Sequence, residues 1–236
     1  MKAFILAAGN GTRLRPLTNS VPKCLLSIQG APLLEIWLNN CKAAGITDVL
    51  VNAHAHAEAV RKFAAAQKTG VNICVVEEPQ LLGSAGTLAE NREFVAGEKA
   101  FYILYGDVLT NIDLRRMLKY HEQKRQAATI CIYKVPDPAR CGIVAVDEKS
   151  IVQSFVEKPA QPESNLAFAG TMIASEEIFA LLPGGRPADI GFDLLPKLVG
   201  RMAAYEPAAY TLDIGTLDNY QAAQHTWPGL MRVTHG

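Results

Sequence analysis

An apolar segment that runs directly into a loop rich in glycine and cationic side chains is the strongest constraint on the fold of this sequence. Residues 3–7 (Ala-Phe-Ile-Leu-Ala) are apolar on both faces of an extended chain, which is typical of a buried parallel strand. In the loop that follows, Gly9 and Gly11 let backbone N–H groups approach a ligand closely. Arg13 and Lys23 add the fixed positive charge that a polyphosphate requires. The sequence therefore predicts a phosphate-binding loop at the carboxyl end of the first strand.

The spacing of this loop excludes the two best-known glycine-rich phosphate loops. A Walker A loop requires Gly-Lys-Ser/Thr, whereas Gly11 is followed by Thr12 and Arg13. A dinucleotide-binding loop requires a third glycine that opens a helix, but position 14 is leucine, and Pro16 prevents a regular helix there. A phosphate loop of another kind is expected.

The composition favours one large α/β domain. The chain has 236 residues, of which 49% are hydrophobic, so it can supply a sizeable packed core. Its formal net charge is zero, which argues against nucleic acid or a membrane surface as a charge-driven partner. Since neither a leader pattern nor an apolar stretch of membrane-spanning length is found, we expect a cytoplasmic enzyme without a membrane partner.

The cysteines indicate reduced side chains rather than a disulfide framework or a zinc site. Their number, 5, is odd, and no Cys-x-x-Cys pair occurs. Cys41, Cys74 and Cys131 lie in apolar segments, and each is expected to be a small core residue.

The first half of the chain alternates strand and helix patterns. Such repeats predict a Rossmann-like α/β fold, in which a mixed, mostly parallel sheet carries helices on both faces. The expected strands are 4–7, 48–53, 71–77 and 100–104, and the expected helices are 32–44, 57–67, 87–94 and 113–124. Ligands of such sheets bind beyond the carboxyl ends of the strands. We therefore expect the loops 8–23, 78–86 and 106–111 to converge on one cleft.

After residue 126 the pattern changes to strands joined by proline-containing turns. Strands are expected at 127–134, 142–146, 151–156, 166–174 and 210–214, and helical segments at 176–182, 192–199 and 217–224. The simplest interpretation is an added β-region that covers the cleft. We expect one domain over 1–236, with a nucleotide-binding half (1–126), a second half with closing elements (127–225) and a tail (226–236) that frays from residue 230.

Motifs along the whole chain, in order, resemble those of the sugar-1-phosphate nucleotidylyltransferases, also called nucleoside-diphosphate-sugar pyrophosphorylases. They are residues 6–23, Leu82-Gly83-Ser84-Ala85-Gly86, Tyr105-Gly106-Asp107, Val156-Glu157-Lys158-Pro159 and Asp213-Ile214-Gly215-Thr216. Long members of this family carry a hexapeptide-repeat β-helix after the catalytic domain, and this sequence has none. The expectation is a catalytic domain alone, similar to short mannose- or heptose-1-phosphate guanylyltransferases.

The resemblance implies attack of a sugar 1-phosphate on the α-phosphorus of a nucleoside triphosphate, with release of pyrophosphate. GTP with mannose or heptose 1-phosphate is the first expectation, in nucleotide-sugar biosynthesis for cell-envelope polysaccharide. UTP with N-acetylmuramic acid 1-phosphate or another hexose 1-phosphate, CTP with an alcohol phosphate, and a non-catalytic subunit that binds a sugar nucleotide remain open as alternatives. The enzyme is expected as a monomer or a homodimer.

The resemblance also assigns residues to nucleotide binding and catalysis. Arg13 is expected to contact the β- and γ-phosphates, and Lys23 the phosphates around the reacting phosphorus. The full nucleotide-binding set is Leu6, Ala7, Ala8, Gly9, Gly11, Thr12, Arg13, Lys23, Glu78, Gly83, Ser84, Ala85, Gly86 and Gly106. The Leu82–Gly86 loop is expected to form a flat slot for the base. Carboxylates accept hydrogen bonds from the N–H edge of guanine, so Glu77 and Glu78 favour guanine over uracil or thymine.

Two aspartates are the expected ligands of a magnesium cofactor. Asp107 follows an apolar strand and is also expected to be catalytic, because Mg²⁺ is often held by one or two carboxylates plus substrate phosphates. Asp213 is the expected second ligand, although Thr211 and Leu217 stand where the family motif has tryptophan and proline. The alternative is that Asp213 caps the final helix, a task for which Thr216 competes.

A second set of residues is expected at the sugar 1-phosphate. By resemblance, Lys158 would grip the sugar phosphate and Glu157 would accept hydrogen bonds from sugar hydroxyls. Gly142, Gly170 and the adjacent Thr171 are expected to allow close approach of the sugar.

Overall fold

The computed structural model describes residues 1–184 and 187–231 of the chain. Within them the strands are β1 (Lys2–Leu6), β2 (Ser27–Ile28), β3 (Ala31–Pro32), β4 (Asp48–Ala53), β5 (Asn72–Glu77), β6 (Phe101–Tyr105), β7 (Val108–Thr110), β8 (Ala128–Lys134), β9 (Gly142–Val146), β10 (Val152–Glu157), β11 (Leu166–Ala174), β12 (Met202–Tyr205) and β13 (Thr211–Asp213). The α-helices are α1 (Leu33–Ala43), α2 (Ala57–Ala66), α3 (Ser84–Glu90), α4 (Leu114–Lys124) and α5 (Leu217–Thr226). Across the described ranges, no helix has both the length and the apolar character needed to cross a membrane. Most of the predicted frayed tail, residues 232–236, lies outside the described residues.

By compactness, the chain divides into two units. The first unit comprises Met1–Leu81, Leu104–Arg115 and Ala208–Gly236, and the second comprises Leu82–Ile103 and Arg116–Pro207. The predicted halves, 1–126 and 127–225, were defined by what they bind and not by compactness. That division stays a prediction.

A parallel sheet forms the centre of the first unit. β1 pairs with β4 and β4 pairs with β5, both in parallel, and Leu6 lies opposite Asn52 at the end of the first pair. Residues 3–5 are fully buried, as expected for a strand that is apolar on both faces. The N–H of Gly106, just after β6, donates to the carbonyl oxygen of Leu6 at 2.9 Å. The chain after β1 and the chain after β6 therefore leave the sheet side by side.

A short antiparallel ladder between β7 and β13 aligns the two predicted metal ligands. Val108 lies opposite Asp213, and the N–H of Ile214 donates to the carbonyl oxygen of Asp107 at 3.1 Å. The register of this ladder therefore brings Asp107 and Asp213 to the same end of the two strands.

Helix α1 fastens the segment that carries Asp107. The indole Nε1 of Trp37 donates to the carbonyl oxygen of Val108 at 2.9 Å, and the amide Nδ2 of Asn40 donates to that of Ile112 at 3.1 Å. Both bonds are buried, so the loss of either donor would leave a carbonyl without a partner. These bonds fix the chain on both sides of β7.

The second unit is built mostly from antiparallel strands. β9 pairs with β10 and β11, and β8 pairs with β11, all antiparallel, whereas β12 pairs with β8 in parallel. The register between β8 and β11 shifts between Phe168 and Met172, and Gly170 within this irregularity has a φ of 67°. The predicted α/β class, a mixed sheet with helices, is thereby confirmed.

Some local expectations are wrong. Cys74 is exposed rather than in the core, because β5 is the last strand of the sheet and this side chain points to solvent. The loop predicted at 106–111 contains β7, and β12 was not predicted, because such short strands show too little alternation.

Of two proline-containing segments, the first differs from expectation and the second agrees with it. The helix predicted over 192–199 is a π-helical turn at Ile190–Leu194 followed by a 3-10 turn at Leu195–Leu198, since Pro196 cannot donate a backbone hydrogen bond. Pro16 does exclude a regular helix, but 3-10 turns form on either side of it, at Thr12–Leu14 and Leu17–Asn19.

The hydrogen bond from Trp37 to Val108 can be tested by a substitution that keeps an aromatic ring. We expect Trp37→Phe to lower the free energy of unfolding by about 1–3 kcal/mol, because it leaves the buried carbonyl of Val108 unsatisfied. Urea denaturation followed by circular dichroism measures this. Trp227→Phe is the matched control, since that ring packs edge-on against Tyr210 and makes no tether to Val108. Equal losses in both variants would contradict a special role for the Trp37 hydrogen bond.

Candidate active site

A pocket of about 240 Å³ opens in the first unit at the end of β1. Its lining brings together residues from four separate stretches of chain: Leu6, Ala7, Gly9, Asn10, Gly11, Thr12, Arg13, Lys23, Cys24, Gly106, Asp107 and Gly215. The loops 8–23 and 106–111 do therefore meet, as their positions after β1 and β6 predict. Most of the residues expected to bind phosphate lie on this one surface.

The ammonium group of Lys23 lies between the carboxylates of Asp107 and Asp213. Its Nζ is 2.7 Å from Oδ2 of Asp107 and 3.8 Å from Oδ1 of Asp213. The Lys23 side chain is only 10% exposed, whereas those of Asp107 and Asp213 are 35% and 48% exposed, so water reaches the two carboxylates more than the ammonium group. The structure thus gathers the predicted catalytic lysine and both predicted metal ligands.

Arg13 reaches the same point, and Gly215 makes the room for it. A Cβ atom at Gly215 would stand 2.7 Å from Oδ1 of Asp213, 2.8 Å from Nη2 of Arg13 and 3.1 Å from Nζ of Lys23. Any side chain at this position would therefore displace a charged group. Gly215 belongs to a motif that was recognised, but the residue itself was not predicted to matter.

The environment of Asp213 disfavours its charged form. Loss of water contact raises the pKa of this carboxyl group, and the nearby charge of Asp107 raises it further, against the opposing effects of Lys23, the Gly215 N–H and Arg13. Its Oδ1 accepts a hydrogen bond from the N–H of Gly215 at 2.6 Å. The hydroxyl of Thr216, not Asp213, caps α5 by accepting from the N–H of Asn219. The alternative role of Asp213 as the helix cap is therefore excluded.

The phosphate loop is held in shape by local contacts. Gly11 has a φ of 63°, and its carbonyl oxygen accepts from Oγ1 of Thr18 at 2.7 Å. A Cβ at Gly11 would lie 2.9 Å from Cγ2 of Thr18, so glycine is required there both for the backbone angle and for the space.

A buried chain of hydrogen bonds links the loop to Glu78. The N–H of Ala7 donates to Oδ1 of Asn52 at 2.6 Å, and Nδ2 of Asn52 donates to Oε1 of Glu78 at 2.8 Å. Glu78 is only 3% exposed. Glu77 instead forms an ion pair with Arg61 on the surface. Asn52 was missed by the sequence analysis, although a polar residue at the end of an apolar strand is a usable signal.

The loop before α3, in the second unit, packs against the backbone of Ala188. The N–H groups of Ala85 and Gly86 donate to the carbonyl oxygen of Ala188 at 2.9 and 3.2 Å. A Cβ at Gly83 would stand 2.2 Å from that oxygen, and Gly83 has a φ of 76°. The glycine at position 83 is thus needed for a close approach of two backbone segments.

The predicted sugar-binding carboxylate of Glu157 lies between two glycines of the second unit. Cβ atoms at Gly142 and Gly191 would stand 2.6 and 2.5 Å from its Oε2. Burial raises the pKa of Glu157, with an opposing effect from Lys158 and a further rise from the charge of Asp189. The Lys158 Nζ is 3.7 Å from Oε1 of Glu157, and its side chain is 59% exposed.

The remaining two residues predicted to lie near the sugar, Gly170 and Thr171, are both in strand β11. Thr171 is 1% exposed, and Gly170 lies in the irregular part of β11.

The donor set around Lys23 suits a hard divalent cation that also binds substrate. Over residues 1–184 and 187–231, no group of three or more His, Cys, Asp or Glu side chains is placed to hold a metal ion. Asp107 and Asp213 together offer carboxylate oxygens, and a cationic nitrogen already lies between them. Two carboxylates plus phosphate oxygens are a common magnesium environment, and Lys23 shows that this position already accommodates positive charge.

Relatives of known function cover nearly the whole chain. The UTP–glucose-1-phosphate uridylyltransferase of Synechocystis is 36% identical over 214 residues, which is 84% of this chain and 55% of that protein. The mannose-1-phosphate guanylyltransferase of Mycobacterium tuberculosis is 31% identical over 92% of this chain and 62% of its own length. The mannose-1-phosphate guanyltransferase beta-B of Xenopus laevis is 31% identical over 100% and 69%. The chain thus spans between about half and two thirds of the length of these relatives.

A solved structure and a family profile are consistent with these relatives. The crystal structure of HddC from Yersinia pseudotuberculosis superposes with a TM-score of 0.80 at 24% identity, over 94% of this chain and 97% of that one. The profile of the family described as Nucleotidyl transferase matches residues 2–228. The chain therefore belongs to the nucleotidyl transferase family.

Proposed function

We propose that this protein transfers a nucleotidyl group from a nucleoside triphosphate to a sugar 1-phosphate and releases pyrophosphate. One observation carries the proposal: Lys23 lies between Asp107 and Asp213, and Arg13 shares the pocket. Two cations and two carboxylates at the end of a parallel strand are the groups needed to hold a metal-bound polyphosphate. The names of the relatives support the same reaction class.

GTP and mannose 1-phosphate are the first substrates of this proposal. The relatives from Mycobacterium tuberculosis and Xenopus laevis, both named for this reaction, support them. The relative from Synechocystis, which is 36% identical, favours UTP with glucose 1-phosphate as the second candidate. The buried carboxylate of Glu78, which also accepts from Asn52, remains the proposed acceptor for a guanine N–H edge, and Glu77 is paired with Arg61.

The side chains of the pocket would act mainly by positioning and by charge. In the proposed reaction a phosphate oxygen of the sugar 1-phosphate attacks the α-phosphorus, and the bond from that phosphorus to the oxygen bridging to the β-phosphate breaks. Both reactants and the leaving group are anions, so fixed positive charge lowers the barrier. The buried Lys23 would hold oxygens around the reacting phosphorus, and the exposed Arg13 would hold the β- and γ-phosphates.

Asp107 and Asp213 would hold Mg²⁺ together with substrate oxygens. When bound, such an ion neutralises phosphate charge and helps to orient the reacting groups. In the second unit, Glu157 would accept hydrogen bonds from the sugar hydroxyls and Lys158 would bind the sugar phosphate.

Asp107→Asn tests the proposed metal pair by activity. We expect turnover to fall by about 100-fold or more with the fold intact, because an amide removes the negative charge that would hold the ion. Pyrophosphate release at saturating Mg²⁺ measures the change. Asp218→Asn, on the exposed first turn of α5, is the control and should keep its turnover. Near wild-type turnover of Asp107→Asn would contradict the assignment.

A substrate panel tests the reaction itself. We expect pyrophosphate release with GTP and mannose 1-phosphate to exceed that with UTP, CTP, ATP or dTTP by about tenfold or more, because the other bases offer fewer matching N–H donors to the carboxylate of Glu78. Each triphosphate is measured against mannose, glucose and heptose 1-phosphates. A preference for UTP with every acceptor would replace the guanine assignment by the uridylyl alternative. No turnover with any pair would refute the proposed activity.

The charge of Asp213 should lower the stability of the protein when no metal is bound. Since the pKa of Asp213 is raised in the native state, ionisation of this carboxyl group disfavours the native state as pH rises through that window. We therefore expect Asp213→Asn to raise the free energy of unfolding at about pH 7 in EDTA. The gain should vanish at about pH 3, where both states are protonated in the wild type.

Asp48→Asn is the matched control with the opposite sign. Hydrogen bonds from Thr47 and Asn72 lower the pKa of Asp48, so its ionised form favours the native state. This variant should lose stability at about pH 7. Urea denaturation of both variants at the two pH values is the measurement, and a loss in Asp213→Asn at about pH 7 would contradict the electrostatic argument.

A further inference from the structure

The carboxylate of Asp189 joins two segments of the second unit. Its Oδ2 accepts a hydrogen bond from Oγ of Ser84 at 2.9 Å, and its Oδ1 accepts from the N–H of Gly191 at 2.8 Å. The same Ser84 oxygen accepts from the N–H of Ile190 at 2.7 Å. The π-helical turn that begins after Asp189 is therefore fixed to the first residue of α3.

Backbone contacts strengthen this junction. The N–H of Ala188 donates to the carbonyl oxygen of Leu82 at 2.9 Å, and Ala188 in turn accepts from the first turn of α3. The N–H of Asp189 donates to Oδ2 of Asp193 at 2.7 Å. These contacts hold the backbone of Ala188 and Asp189, and the Asp189 side chain in turn holds the N–H of Gly191.

The turn presents Gly191 to the carboxylate of Glu157. A Cβ at Gly191 would stand 2.5 Å from Oε2 and 2.9 Å from Cδ of Glu157, and 3.2 Å from Oδ1 of Asp189. Gly142 closes the other side, where a Cβ would stand 2.6 Å from the same Oε2. Glu157 therefore has little freedom to move, and the location of Gly191 helps to determine the location of its carboxylate.

We propose that Asp189 is a positioning residue for the sugar 1-phosphate, which holds Gly191 against Glu157 and so fixes where this carboxylate meets the sugar hydroxyls. The inference rests on the proposed function, in which Glu157 binds the sugar. Asp189 touches no reacting atom in this arrangement and acts through its neighbours. Because Ser84 is part of the same junction, the position of the Glu157 carboxylate also depends on the loop before α3.

The charge of Asp189 has a separate effect on Glu157. The charged groups that act on Glu157 are Lys158, whose Nζ is 3.7 Å from Oε1, and Asp189. Asp189 raises the pKa of Glu157, so removal of this charge should let Glu157 ionise at lower pH. This effect depends on the charge of Asp189 and not on its hydrogen bond to Gly191.

Two variants separate the geometry from the charge. Asp189→Ala removes both, whereas Asp189→Asn removes the charge but keeps an oxygen that can accept from the N–H of Gly191. We expect Asp189→Ala to raise KM for the sugar 1-phosphate by about tenfold, with KM for the triphosphate changed by less than about twofold. Asp189→Asn should restore most of the sugar KM at about pH 7.

Asp147→Ala is the matched control. Asp147 also accepts from two backbone N–H groups, those of Lys149 and Ile151, at the turn between β9 and β10. The variant loses a comparable cap in the same unit, but it should keep the wild-type KM for the sugar 1-phosphate.

A titration without substrate gives the second measurement. The ¹³C carboxyl signal of Glu157, assigned by its absence in Glu157→Gln, should have a lower titration midpoint in Asp189→Asn than in the wild type. A midpoint equal to that of the wild type overturns the proposal. An unchanged sugar KM in Asp189→Ala, or an equal rise in both KM values, overturns it as well.

Failure of the proposed function would give a different result from failure of the inference about Asp189. In that case the wild type itself would turn over no sugar 1-phosphate, and no KM could be compared. The titration of Glu157 would still decide whether Asp189 acts on this carboxylate. If Asp189→Ala does not fold, the pH dependence of kcat/KM for the sugar in Asp189→Asn decides instead: its acidic limb should move to lower pH, and an unmoved limb overturns the proposal.

Discussion

The pairing of one ammonium group with two carboxylates is the constraint on which the candidate site depends. Lys23 is largely buried, and a buried lysine is tolerated only when its charge is compensated. Asp107 and Asp213 would repel each other without a cation between them. Lys23 and Asp107 therefore stabilise each other's charge most directly, whereas Asp213, at a longer distance from Lys23, has a raised pKa. The β7–β13 ladder and the hydrogen bonds from α1 supply the frame that keeps them together.

Much of the fold could be predicted from hydrophobic periodicity, because long buried segments leave a clear pattern. Strand β4 and helix α1 were found nearly to the residue for this reason. Strand β13 was predicted within 210–214, but β7 and its pairing with β13 were missed, since a three-residue strand such as β7 owes its existence to pairing with a distant partner rather than to its own pattern. Cys74 was misplaced because a pattern of apolar residues does not reveal which strand ends a sheet.

The site was predicted through motifs, and the residues outside motifs were missed. Arg13, Lys23 and Asp107 do share one pocket, as strand-end loops in a parallel sheet should. Asn52 and Asp189 were not found, because each acts through hydrogen bonds to segments that are remote in the chain. Spacing along a sequence carries information about neighbours in a loop, but not about a carboxylate that fixes a turn against another loop.

The assembly of the pocket from distant stretches determines when it can form during synthesis on the ribosome. Thr110 and Thr211, which face each other in the β7–β13 ladder, are 101 positions apart in the chain. Residues 208–231 are made only after the whole second unit has been translated. Until then the edge of β7 has no partner, and Asp107 and Lys23 stand without Asp213. Such non-local pairing is slow and leaves strand edges exposed to other chains. A nascent chain therefore carries the phosphate loop long before it carries the pocket.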